Sequence, residues 1–193
     1  MQLYDPKLNF ARDLINHWLG IRGGALVPLD DDVDPRPLQP CIDYIGIVEL
    51  AQVAIELAGA GLIRRFGRDI RHLNWLDLVP PALGDAGERA REHIRNLPCG
   101  YYHEFTVVRD RAPSITAQTL ALPLRYRIGT RPEAAIAITR DDSGGAGVRP
   151  IGWLTPWARV EHFYFELVDI GAGVHTEDPA FTQKIESKIR QVD

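Results

Sequence analysis

Between Tyr101 and Arg140 the chain carries three β-rich runs in quick succession: Tyr101 to Arg109, Ile115 to Tyr126 and Glu133 to Arg140. Their separators, Asp110-Arg111-Ala112-Pro113-Ser114 and Gly129-Thr130-Arg131-Pro132, have turn chemistry. Spacers this short leave no room for a helical crossover, which takes about a dozen residues or more. The runs must therefore fold back on one another antiparallel. Upstream, Tyr44 to Leu50 is β-rich, and Val53, Ile55 and Leu57 alternate with Ala54, Glu56 and Ala58 as in a half-buried strand. About two residues separate these runs, which predicts a hairpin. Val160 to Ile170, with Phe163-Tyr164-Phe165 at its centre, predicts a further strand.

Helical patterns fill the gaps. Asp5-Pro6 is a cap followed by a first-turn proline. Phe10, Ala11, Leu14, Ile15, Trp18 and Leu19 then form one apolar stripe, ended by Gly20, Gly23 and Gly24. Such a stripe packs on its own domain or forms a dimer seam. Asp34-Pro35 repeats the cap-and-proline start and predicts a short helix toward Cys41. Leu62, Ile63 and Phe66 share a face of a short helix closing at Gly67. Trp75 to Val79 is a short apolar piece stopped by Pro80-Pro81. Asp85 to Leu97 reads as a helix with Ala90, Ile94 and Leu97 on its apolar side, ended by Pro98. Asp141 to Pro150 reads as an exposed loop, and Asp178 to Val192 as a C-terminal helix with Phe181, Ile185 and Ile189 on one face.

Strands, helices and strands again make an α+β fold. The expected form is a five- to six-stranded antiparallel sheet with helices on one face, plus N- and C-terminal helices. The corresponding plan is an N-terminal helix and connector at 1–43, a core at 44–141, and a loop, extra strand and helix at 142–193.

A net charge of −4 gives no footprint for nucleic acid or an anionic membrane. No apolar run approaches the ~20 residues of a membrane span. The start, Met1-Gln2-Leu3-Tyr4-Asp5-Pro6, lacks the pattern of a secretory leader. Cys41 and Cys99 lie too far apart in sequence for a zinc motif, and free buried thiols fit a cytoplasmic protein.

The motifs that could carry chemistry each fail a physical requirement. Asp30, Asp32 and Asp34 have the one-three-five spacing of a calcium loop. Pro35 and Cys41 stand where such a loop needs its glycine and its bidentate acid. A solvated connector, with Asp34 capping the next helix, is the simpler reading, and no metal is expected. Asp169-Ile170-Gly171-Ala172-Gly173 resembles a nucleotide turn, but the ribose-binding acid would fall after a further strand for which little chain is left. Gly59-Ala60-Gly61 has Arg64 where a third glycine belongs, and Gly144-Gly145-Ala146-Gly147 is followed by no Walker lysine. His17, His72, His93, His103, His162 and His175 form no metal pair. Cys99 and His103 would lie about 13 Å apart along a strand, too far for proton transfer.

Taken in order, Trp18, Arg22-Gly23, Pro28, Asp32-Val33-Asp34-Pro35, Gly59, Phe66-Gly67-Arg68-Asp69 and Leu122-Pro123-Leu124 resemble a bacterial family of single-domain PAS-like proteins. The resemblance covers roughly the first two-thirds of the chain. It implies a five-stranded antiparallel sheet with helices across one face. It also implies a sensory or signalling module that binds a small molecule or a protein partner and has no output domain of its own. A homodimer is expected, with the terminal helices as contacts. A cavity would lie between the inner sheet face and the short helices, lined by Ile55, Leu57, Leu62, Phe66, Trp75, Tyr101, His103, Phe105, Leu120 and Leu122. The same residues could equally be plain core. His103 could coordinate haem, as in some PAS pockets, although a partly exposed strand histidine is the commoner case, and no cofactor is expected. The chain is expected not to be an enzyme. The alternative is a small enzyme with its site around His103 and Glu104, assisted by Asp69 and His162.

Overall fold

The computed structural model describes residues 3–79, 83–109, 112–141 and 159–173. The loop expected over 142–150 and the helix expected at Asp178 to Val192 lie outside these residues. The described chain forms one six-stranded sheet in the order β2-β1-β5-β4-β3-β6. The strands are β1 (Ile45–Glu49), β2 (Ile55–Ala58), β3 (Gly100–Arg109), β4 (Ala112–Leu124), β5 (Ala134–Asp141) and β6 (Arg159–Val168). Every neighbouring pair is antiparallel; the short spacers demand it for β1–β2, β3–β4 and β4–β5. The central register is Tyr101↔Ala121, His103↔Thr119 and Phe105↔Ala117 between β3 and β4. From β4 to β5 it runs Leu120↔Ile138 and Leu122↔Ile136.

The α+β expectation holds, with helices on both sides of the sheet once the N-terminal helix is included. That helix begins as a 3-10 helix, Pro6–Ala11, in which Asp5 accepts the Lys7 amide, and continues as α1 (Arg12–Arg22). Leu8, Ala11, Leu14, Ile15 and Trp18 are buried. They pack on Tyr102, Leu120, Leu122, Leu124, Ile136 and Ile138, which stand on what we call the outer face. Of the two partners open to this stripe, its own sheet has taken it. The Trp18 indole N–H donates to the Pro123 carbonyl at 2.9 Å. Arg22 donates to the Ile170 carbonyl at 2.6 Å. Gly23 ends the helix with φ +54, a value that favours glycine.

Over the inner face lie α2 (Ala60–Phe66), a 3-10 turn at Trp75–Leu78 and α3 (Gly84–Asn96). Close approach explains the glycine ahead of α2. A Cβ at Gly59 would meet the Ile42 carbonyl oxygen at 2.2 Å, so a side chain there would force the backbone apart. Gly67 closes α2 in the left-handed region, φ 68, as its position after the apolar run predicts.

Three local expectations are corrected. The connector of the first hairpin is longer than two residues, because Val53 and Ala54 leave the strand. Val53 has φ 62, and Glu49 folds back to accept the Ala51 and Gln52 amides. The segment after Asp34-Pro35 is a series of turns, not a helix. Pro37 and Pro40 lack the amides a helical ladder needs, and Asp34 accepts the Arg36 amide two residues on. Leu97 sits beyond the end of α3 in extended conformation and is 49% exposed, off the apolar stripe.

Candidate functional site

Side chains alternate across a strand, so the residues flanking the buried aliphatics of the outer face point the other way. On β4 and β5 these are Thr119, Ala121, Ala135, Ala137 and Thr139, joined by Gly46 of β1. They make a floor of small side chains across the middle of the sheet. Above it stand Ile55, Leu62, Phe66, Ile70, Trp75 and Leu78. The gap is a cavity of about 140 Å³. Its wall is almost all carbon.

Of the residues expected to line a cavity, Ile55, Leu57, Leu62, Phe66, Trp75, Tyr101, His103 and Phe105 do line this one. Leu57 is 43% exposed and marks its rim. Leu120 and Leu122 are a correction. They lie on the opposite face, buried under α1, because the register places Thr119 and Ala121 beside His103 and Tyr101. The small residues of the floor, and Arg65 and Arg91, were not anticipated. An Ala/Thr set alternating with Leu and Ile on consecutive strands was the available signal.

The β3 wall is aromatic. His103 stacks on Tyr101 at 5.5 Å between ring centroids and tilts against Phe105 at the same distance. Tyr101 stacks in turn on Phe165 of β6 at 5.6 Å. Burial among these rings pushes the His103 imidazole down to about 4, so it is neutral at pH 7. Thr119 and Thr139 share a hydroxyl bond of 3.0 Å.

Two guanidiniums reach the cavity wall, each with a carboxylate partner. Arg65 of α2 is buried against Asp141 at the end of β5. Arg91 of α3 pairs with Glu88 and donates to the Leu50 carbonyl at 3.0 Å. Trp75 lies against α3 at Gly87, where a Cβ would come within 3.0 Å of the Trp75 ring. The buried indole N–H of Trp75 has no acceptor among the described residues.

The two residues at the centre of the enzyme alternative, His103 and Glu104, are not brought together. His103 and Glu104 are neighbours on one strand and so face opposite ways. Glu104 accepts from the Tyr102 hydroxyl at 3.0 Å and from Gln118 at 2.8 Å, while His103 lines the cavity. Asp69 sits in an exposed turn clamped by Arg71, and the His162 side chain lies outside the described set. The acidic loop has its own ties. Asp31 meets Arg127, and Asp34 is held down to about 2, first by the Arg36 side chain. Among the described residues, no group of three or more His, Cys, Asp or Glu could hold a metal ion, and no helix is long and apolar enough to cross a membrane. A second hollow, of about 320 Å³, has Glu49, Glu92 and Glu133 set against Arg91, Arg95 and Arg131, so its wall charges already balance.

An antiparallel sheet with α1 on its outer face, short helices over its inner face and a small apolar cavity beneath those helices defines the class, an α+β sheet domain. The family model described as PAS domain matches residues 7–138. The chain belongs to the PAS domain family. No curated protein matches it.

Proposed function

We propose that this chain is a sensory and signalling module that takes a small molecule into the inner-face cavity and relays the change to a protein partner. One observation carries the reading: small side chains floor the centre of the sheet where the outer face has Leu and Ile. Ordinary cores are filled to crystal-like density, and an empty volume ringed by aromatics with a few polar groups is how ligand sites are built. In this reading the chain is not an enzyme and works in the cytoplasm. The two buried, free cysteines agree with a reducing compartment. The expected homodimer belongs to the proposal too, but with the α1 stripe buried at home its seam must use another surface.

Native mass spectrometry of freshly purified protein tests this. A retained small molecule in the wild type, lost in Ala137→Leu, is expected. Bare protein mass for both overturns the ligand reading.

A further inference from the structure

The chemistry of the cavity wall narrows what it would hold; this inference rests on the sensory reading above. A cavity of about 150 Å³ lined by aliphatic and aromatic side chains takes one benzene ring. This one measures about 140 Å³. A flat ring also matches a wall already built of rings, where Tyr101 and His103 stack 28° from parallel, because aromatic rings attract one another in stacked and edge-to-face arrangements.

The polar groups supply donors. The Trp75 indole N–H is buried without an acceptor among the described residues. An indole nitrogen can only donate, and a donor left unmet in a dry site is costly. The Thr119–Thr139 pair holds one more hydroxyl hydrogen than its shared bond uses. A ligand with a hydrogen-bond acceptor would satisfy Trp75. Charge is a different matter. The guanidiniums at the wall face Asp141 and Glu88, and the imidazole is neutral. Among the described residues of the wall, each guanidinium has its carboxylate, and burying an unpaired carboxylate in such surroundings is strongly unfavourable.

We infer that the cavity binds an uncharged, single-ring aromatic molecule bearing a carbonyl-type acceptor, with the Trp75 indole N–H donating to it. Trp75 is thus the residue that selects for the acceptor, and the small floor residues set the size limit.

The experiment compares four probes by calorimetry on the full chain: acetophenone, its acceptor-less isostere α-methylstyrene, benzoate and decanoate. The decisive quantity is the affinity ratio of acetophenone to α-methylstyrene in wild type and in Trp75→Phe. Ring size and partitioning cancel in that double comparison, leaving the hydrogen bond. A drop of at least about tenfold in the ratio is expected, the effect of one such bond to a buried donor. In the wild type, the Trp75 indole proton resonance should also move downfield with acetophenone and not with α-methylstyrene, which serves if the variant folds poorly. An unchanged ratio and resonance overturn the inference. So does tighter binding of benzoate or decanoate, although the sensory reading then stands with a different ligand class. If none of the four binds, the inference falls, and a retained mass in the native spectrum decides whether the sensory reading falls with it.

Discussion

On the outer face of the central strands stand Leu120, Leu122, Ile136 and Ile138; on the inner face, a residue away, stand Thr119, Ala121, Ala135 and Ala137. The strands, register and twist are shared, so backbone geometry cannot account for what differs. The outer side chains reach far enough to mesh with α1, and the result is a filled core anchored by the Trp18–Pro123 bond. The inner side chains stop short of α2 and the Trp75 turn, and volume remains. The difference teaches that a cavity in a sheet domain can be a matter of side-chain length on alternate residues. The outer face supplies the stability that the inner face forgoes.

The comparison can be broken most forcefully from its filled side. Trp18→Ala removes a fully buried ring and strands the Pro123 carbonyl, and should cost about 3–5 kcal/mol in urea-denaturation stability. A loss under about 1 kcal/mol would show that the outer face is not the anchor.

The next effect belongs to the inner face and is pH-dependent. The unfolded His103 takes its proton near pH 6.5, the folded one only at about 4. Between these values the unfolded state binds more protons, so stability falls as pH drops from 6.5 to 4, by about 3 kcal/mol at most. His103→Gln should flatten that part of the stability–pH curve relative to wild type. Parallel curves would mean that the imidazole is solvated.

Ala137→Leu sharpens the contrast further. Added methylenes in a filled core cost about 1–3 kcal/mol. Here they enter free space, and the melting transition should move by the equivalent of about 1 kcal/mol or less in either direction. A large destabilisation would mean that the cavity is not there to receive them.

The smallest effect is expected away from both faces. Asp32→Asn in the acidic connector should change stability by less than about 0.5 kcal/mol, and millimolar calcium should leave the melting temperature of wild type and variant alike. A calcium-dependent rise in the wild type alone would restore a metal role to that loop.

Much of the sheet was legible because it rests on local signals. Turn-rich spacers after Arg109 and around Gly129 force antiparallel return, although β4 starts at Ala112, within the expected first spacer, and Gly67 ends the helix that follows from the apolar run before it. The lining of the cavity was legible only along each strand. Tyr101, His103 and Phe105 share a face by period alone. Whether Leu120 or Ala121 joins them depends on the parity of the β3–β4 pairing, and one residue more or less in the turn would exchange the faces. The guanidiniums at the wall were hidden for a similar reason. Arg65 and Arg91 look like solvated helix residues until Asp141 and Glu88 are placed beside them. Asp34-Pro35 misled because a capping aspartate and a turn aspartate share the same first step, and the prolines that follow decide between them.

The bond from Trp18 to Pro123 spans 105 residues of sequence, and that from Arg22 to Ile170 spans 148. The ribosome adds about 5–20 residues per second, so the first helix waits on the order of 5–20 s for the strand it docks on. Through that interval its apolar stripe has no home. The same helix that seals the finished domain is therefore uncovered while the strands that receive it are still being made, and faster translation should shorten that exposure.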